Sequence, residues 1–268
     1  MEENKQLEAT PTNGPSERQV NAVHGMSGSV FVLIYCIVAT VTIVTNAIGQ
    51  FGSGPLGIVL GVFGILLDTV TVVGLWLLWG IVGRKKANST VGITMMKVPL
   101  IIRFILDVIG IAAMLVIAII ITAAAGFAAV KSGEASILVV GLLFLFIEIA
   151  TLVFNILYFN SVKGLLNTGA KILKGEKPSG PTGIFAAVCI IIKALFEFAP
   201  YIFVVVGVGL LTESAYGSEI PQEILQTLEA FKAVIGVTIG MLVFAFLVRV
   251  YAAVLIILFN IRMGSKNQ

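Results

Sequence analysis

Seven ionisable side chains interrupt otherwise apolar stretches of this chain: Asp68, Arg103, Asp107, Glu148, Lys193, Glu197 and Arg249. A charge at the centre of a bilayer costs about 2.5–3.5 kcal/mol on insertion scales, so such residues face a bundle interior or a wet cavity. Lys193 and Glu197 are four residues apart, as are Arg103 and Asp107, so each pair shares a helix face and can join within it. Asp68, Glu148 and Arg249 then remain for contacts between helices. Arg103 lies near the end of its stretch, from where it can snorkel to the interface. Asp68, Asp107, Glu148, Lys193, Glu197 and Arg249 are therefore the candidates for a polar layer at mid-depth that holds a solute, an ion or a proton. The competing reading is a set of ion pairs that specifies helix packing. Pro200 would remove a helical hydrogen bond and free the carbonyl of Phe196, next to Glu197, in the manner of broken-helix cation sites.

The elements that must position these groups are six long apolar runs, at about 28–48, 56–83, 98–130, 136–160, 183–211 and 233–261. Each reaches the ~20 residues that a helix needs to cross a hydrocarbon core about 30 Å thick. The chain is 58% hydrophobic and 12% charged, with a mean hydropathy of +1.07. A soluble domain is about half apolar and about a quarter charged. The runs are continuous rather than alternating, which selects helices over barrel strands. The expected fold is an all-α, polytopic membrane bundle of about six transmembrane helices over 28–262. Residues 1–27 are expected to be a disordered cytoplasmic tail and 263–268 a short C-terminal one. His24 is expected to be an ordinary juxtamembrane residue.

The basic residues orient the bundle. With the N-terminal tail inside, twelve of the 17 Lys and Arg fall in cytoplasmic segments: Lys5, Arg18, Arg84, Lys85, Lys86, Lys97, Lys163, Lys171, Lys174, Lys177, Arg262 and Lys266. The outer gaps hold Lys131 and Lys232, and the other three lie within spans. Basic residues are retained on the cytoplasmic side, so both termini are expected there. Trp76 and Trp79 suit an interfacial belt at the inner end of the second span. Two gaps carry helical periodicity. Residues 160–174 form either a short helix on anionic inner-leaflet lipids or a continuation of the fourth span, and 222–231 form a short amphipathic helix after Pro221. Gly57, Gly61 and Gly64, and Gly236 with Gly240, have the spacing that allows helices to approach closely.

Several function classes lack their motifs. The sequence has no HExxH, CxxC, P-loop or GxSxG, and Cys36 and Cys189 each sit inside an apolar run. No cofactor, metal or nucleic acid is expected, and enzymatic activity is not. The layout of six spans with both ends inside is shared by many permease subunits. The expected function is a small transporter or permease subunit of the plasma membrane, of bacterial inner-membrane type, handling a small solute or ion. Its partners would be the bilayer and another membrane subunit or a second copy. The alternative is a non-transporting scaffold, sensor or assembly partner.

Overall fold

The computed structural model describes residues 14–50, 55–132, 135–178, 183–196 and 222–264, and the described residues are helical, with no strand among them. Among the described residues, four helical stretches are long and apolar enough to cross a membrane: Gly61–Arg84, Val91–Ala124, Gly141–Leu173 and Val243–Met263. A fifth is a bent pair, α1 (Glu17–Ser27) and α2 (Val30–Gln50), which meet at 46°. On α2 the exposed Val30, Ile34, Ile37, Val41 and Val44 recur at helical spacing, which makes one continuous apolar stripe. The fifth apolar run is described only as α6 (Ile184–Phe196), too short to span by itself. The remainder of that run and the stretch around Pro200 and Pro221 lie outside the described residues.

Residues 17–27 are a helix where a disordered tail is expected. Ser16 starts α1 with a capping box: its Oγ accepts from the Gln19 N–H at 3.3 Å, and Gln19 Oε1 accepts from the Ser16 N–H at 3.0 Å. Val20, Val23, His24 and Ser27 then fall on one face at the 3–4 residue period, and the last three are buried. The tail's average polarity hides this local pattern.

Two compact units make up the chain. The first comprises Met1–Leu100, Val162–Gly183 and Ile257–Gln268. Its core joins Val23 of α1, Ile93 and Met96 of α4 (Val91–Ser132), and Ile172 and Leu173 of α5 (Ala135–Leu173). Val82 completes it, from a π-helical segment, Leu78–Arg84, that ends α3 (Pro55–Leu77). Residues 160–173 are thus the continuation of the fourth span, with the end of its apolar stripe buried in protein. Gly175, at φ +77°, closes α5, and Glu176 N–H reaches back to Lys171 O at 2.9 Å, as a Schellman ending requires.

His24 is not an ordinary juxtamembrane residue. It is buried, with Nδ1 2.8 Å from Val82 O and Nε2 3.0 Å from Asn88 Oδ1. It thereby supplies a partner to one of the carbonyls that a helix end leaves unpaired. Close approaches also occur away from the G-x-x-x-G spacings. A Cβ at Gly64 or Gly240 would meet nothing within 4 Å, whereas one at Gly28 would sit 2.7 Å from Gly83 O and one at Gly74 2.7 Å from Gly92 O.

The second unit comprises Ile101–Ser161 and Ile184–Ile256. It holds parts of α4, α5 and α7 (Gln222–Gly264), together with α6. Phe104 and Phe159 stack here with centroids 3.9 Å apart, and Thr122 Oγ1 ties α4 to α5 by donating to Gly141 O at 2.9 Å.

Candidate functional site

Three helices of the second unit present polar residues to one cavity. On α4, Asp107, Gly110, Ile111 and Met114 follow the i, i+3, i+4, i+7 period of a single face. On α5, Thr151, Phe154 and Asn155 do the same, with Tyr158 one turn further. Lys193 and Phe196 come from α6. Leu106 completes the lining of a space of about 350 Å³, which falls within the ~300–1,000 Å³ usual for small-molecule sites.

Lys193 is the hub. Its Nζ donates to Asp107 Oδ2 at 2.8 Å and to Asn155 Oδ1 at 2.7 Å, and lies 4.5 Å from the centroid of the Tyr158 ring. Asn155 and Tyr158 are three residues apart, so one face of α5 supplies both the amide and the ring. The Lys193 side chain is 18% exposed and that of Asp107 is 42% exposed. Asn155 is 3% exposed, and its Nδ2 is buried without a hydrogen-bond partner. Thr151 turns its hydroxyl back on its own helix, donating to Ile147 O at 2.8 Å.

Lys193 has a cross-helix partner that spacing does not indicate. Four-residue spacing points to Glu197 on the same helix, and Lys193 also reaches across to Asp107 on α4. An ammonium on a four-carbon stem can leave its own helix, and a carboxylate and an amide oxygen within 3 Å offer more than a single intrahelical partner. Glu197 lies outside the described residues. Of the other candidates, Glu148 on α5 and Arg249 on α7 belong to the same unit, half-buried, and neither lines the cavity. Asp68, on α3, belongs to the first unit.

Asn155 and Tyr158 escaped the sequence reading because neither is charged. The signal was present: Thr151, Asn155 and Tyr158 form a polar stripe at i, i+4, i+7 within an apolar run. Among the described residues, no three His, Cys, Asp or Glu side chains gather in a way that could hold a metal ion. Comparison with protein-family models, with curated proteins and with solved structures finds no match.

Proposed function

We propose that the protein is a multi-pass membrane transporter or permease subunit whose solute site is the cavity walled by Asp107, Asn155 and Lys193. The observation that carries this reading is the buried, unpaired Asn155 Nδ2 beside a cross-helix ion pair in an apolar cavity. Charged and amide groups are costly among apolar helices, and an unspent donor there is worth keeping only if something uses it. In the same reading the chain has six spans with both termini cytoplasmic. The membrane is the plasma membrane, of bacterial inner-membrane type, and the twelve-to-two division of basic residues supports that orientation. Asp68, Glu148, Glu197 and Arg249 are the other charged candidates within the apolar runs.

A second reading is favoured by the completeness of the Lys193 contacts. With Asp107, Asn155 and the Tyr158 face all engaged, the network also suits a scaffold, sensor or assembly partner in which the ion pair specifies packing.

Solvent access separates the two without knowledge of the solute. In a Cys36→Ala/Cys189→Ala background, Thr151→Cys is treated in sealed vesicles with a membrane-impermeant thiol reagent added to either face. Transport requires labelling from both faces, and Val153→Cys, on the exposed apolar side of α5, should stay unlabelled. Labelling from one face alone would replace transport by a receptor or sensor role, and labelling from neither would remove the site. In intact cells, Ser89→Cys should be protected from the same reagent; if it labels from outside, the orientation is wrong.

A further inference from the structure

The polar groups of the cavity are complementary to one kind of ligand. Lys193 has only donors, so it settles the Asn155 amide: the oxygen faces Nζ, and Nδ2 is the group left over. That Nδ2 is buried on a residue 3% exposed and has no partner, a costly state that an acceptor on a ligand would relieve. Asp107 meets Lys193 through Oδ2, and its partly exposed carboxylate lines the same cavity, where it can accept from a ligand donor. Both side chains touch one ammonium and line the same cavity, which brings the amide and the carboxylate together on its wall. The charges of Asp107 and Lys193 cancel, which leaves the pair no net charge to offset that of a ligand. The rest of the lining is chiefly apolar, including Leu106, Ile111, Met114, Phe154 and Phe196.

Resting on the solute-site reading above, we infer that the solute is an uncharged amphipathic molecule. It carries an apolar body and a carbonyl-type acceptor for Asn155 Nδ2, with an adjacent N–H or O–H donor for Asp107, as a carboxamide does. A monocarboxylate would bring a second negative charge beside Asp107. An alkylammonium would bring a positive charge beside Lys193 and offer Asn155 no acceptor. Either ion would also lose its hydration among apolar walls where the described lining residues carry no charge besides that pair.

Four probes of similar shape test this: benzamide, benzoate, benzylammonium and toluene. Their protection of Thr151→Cys from the thiol reagent is measured, together with the thermal shift of the purified wild-type protein. Benzamide is expected to act at concentrations at least about tenfold below either ion, and below toluene. Asn155→Asp keeps an oxygen for Lys193 but exchanges the orphan donor for an anionic oxygen, so it should invert the order in favour of benzylammonium. Equal or stronger action of either ion on the wild type overturns the inference, as does an unchanged order in Asn155→Asp. Should that variant fail to fold, the wild-type order alone decides. If Thr151→Cys labels and no probe acts, the ligand class is wrong while the site stands. If Thr151→Cys never labels, the site reading itself falls.

Discussion

Lys193→Met is the most revealing single change, because Met keeps an unbranched stem out to Cε and loses the terminal ammonium with its charge and donors. Three contacts among the described residues go with it. Asn155 Oδ1 loses its donor at a residue only 3% exposed, and a buried polar atom left unpaired costs about 1–3 kcal/mol. The Tyr158 ring loses its cation, a contact worth about 0.5–2 kcal/mol. Asp107 loses its counter-ion. Removing one partner of a fully buried pair costs about 3–5 kcal/mol in soluble proteins, but the Asp107 side chain is 42% exposed and can be hydrated again. Its contribution therefore falls towards that of exposed pairs, about 0–1 kcal/mol. The sum is a loss of about 1.5–6 kcal/mol, with the largest share through Asn155 rather than through the ion pair.

That division predicts an order among the multiple variants. Asp107→Leu leaves Lys193 with Asn155 and Tyr158 and should cost less than Lys193→Met. The double variant Asp107→Leu/Lys193→Met removes both charges, which is nearly neutral for a pair, yet it leaves both polar atoms of the Asn155 amide unpaired. A deficit of about 1–3 kcal/mol should persist. Adding Asn155→Leu should bring stability back to within about 1 kcal/mol of wild type. Equilibrium unfolding of the purified protein in mixed micelles, followed by circular dichroism, measures all four. Wild-type stability in Lys193→Met would refute the pairing, and full recovery in the double variant would refute the weight given to Asn155.

Three further substitutions test the first unit. Gly28→Ala places a Cβ 2.7 Å from Gly83 O and should destabilise by about 1–3 kcal/mol through overpacking. Gly64→Ala meets nothing within 4 Å and should be neutral or gain up to about 1 kcal/mol of helix propensity; equal thermal shifts for the two would contradict the backbone contact. His24→Ala removes the partner of the Val82 carbonyl and of Asn88. Amide hydrogen exchange should then quicken over Glu17–Ser27 and Leu78–Arg84 and stay unchanged around Asn155, with a stability loss of about 1–3 kcal/mol.

The parts of this molecule visible in its sequence are those that depend on a residue and its own helix. Long apolar runs announce spans whatever surrounds them, and a Lys or Asp inside one is conspicuous on composition alone. The cross-helix ion-pair partner of Lys193 was not visible, because spacing describes only neighbours on the same helix and Asp107 is 86 residues away. The helix at Glu17–Ser27 was missed for a different reason. Averaged over 27 residues the tail is polar, while Ser16 with Gln19 and the stripe from Val20 to Ser27 act over single turns. The π-helical turn at Leu78–Arg84 has no hydropathy signature at all: it changes which carbonyl meets which N–H, not which residues are apolar.

Charge was the natural beacon for a site, yet charge by itself does not separate a site from a structural pair. Lys193 and Asp107 would look the same in either role, since each neutralises the other and neither requires a ligand. The distinction lies in hydrogen-bonding capacity left over once the pair has formed. A network built only to hold helices together is most stable with every buried donor and acceptor matched, because each unmatched one costs stability for no return. Asn155 departs from that expectation by the whole NH2 of its amide, on a residue that lines the cavity. Replacing Asn155 by Leu alone would cost the structural reading a Lys193 partner and give the site reading nothing to bind with. Replacing it by Asp preserves the partner and changes only the leftover group. A protein in which Asn155→Asp holds its stability but changes which probe it protects against would have separated packing from recognition at a single atom.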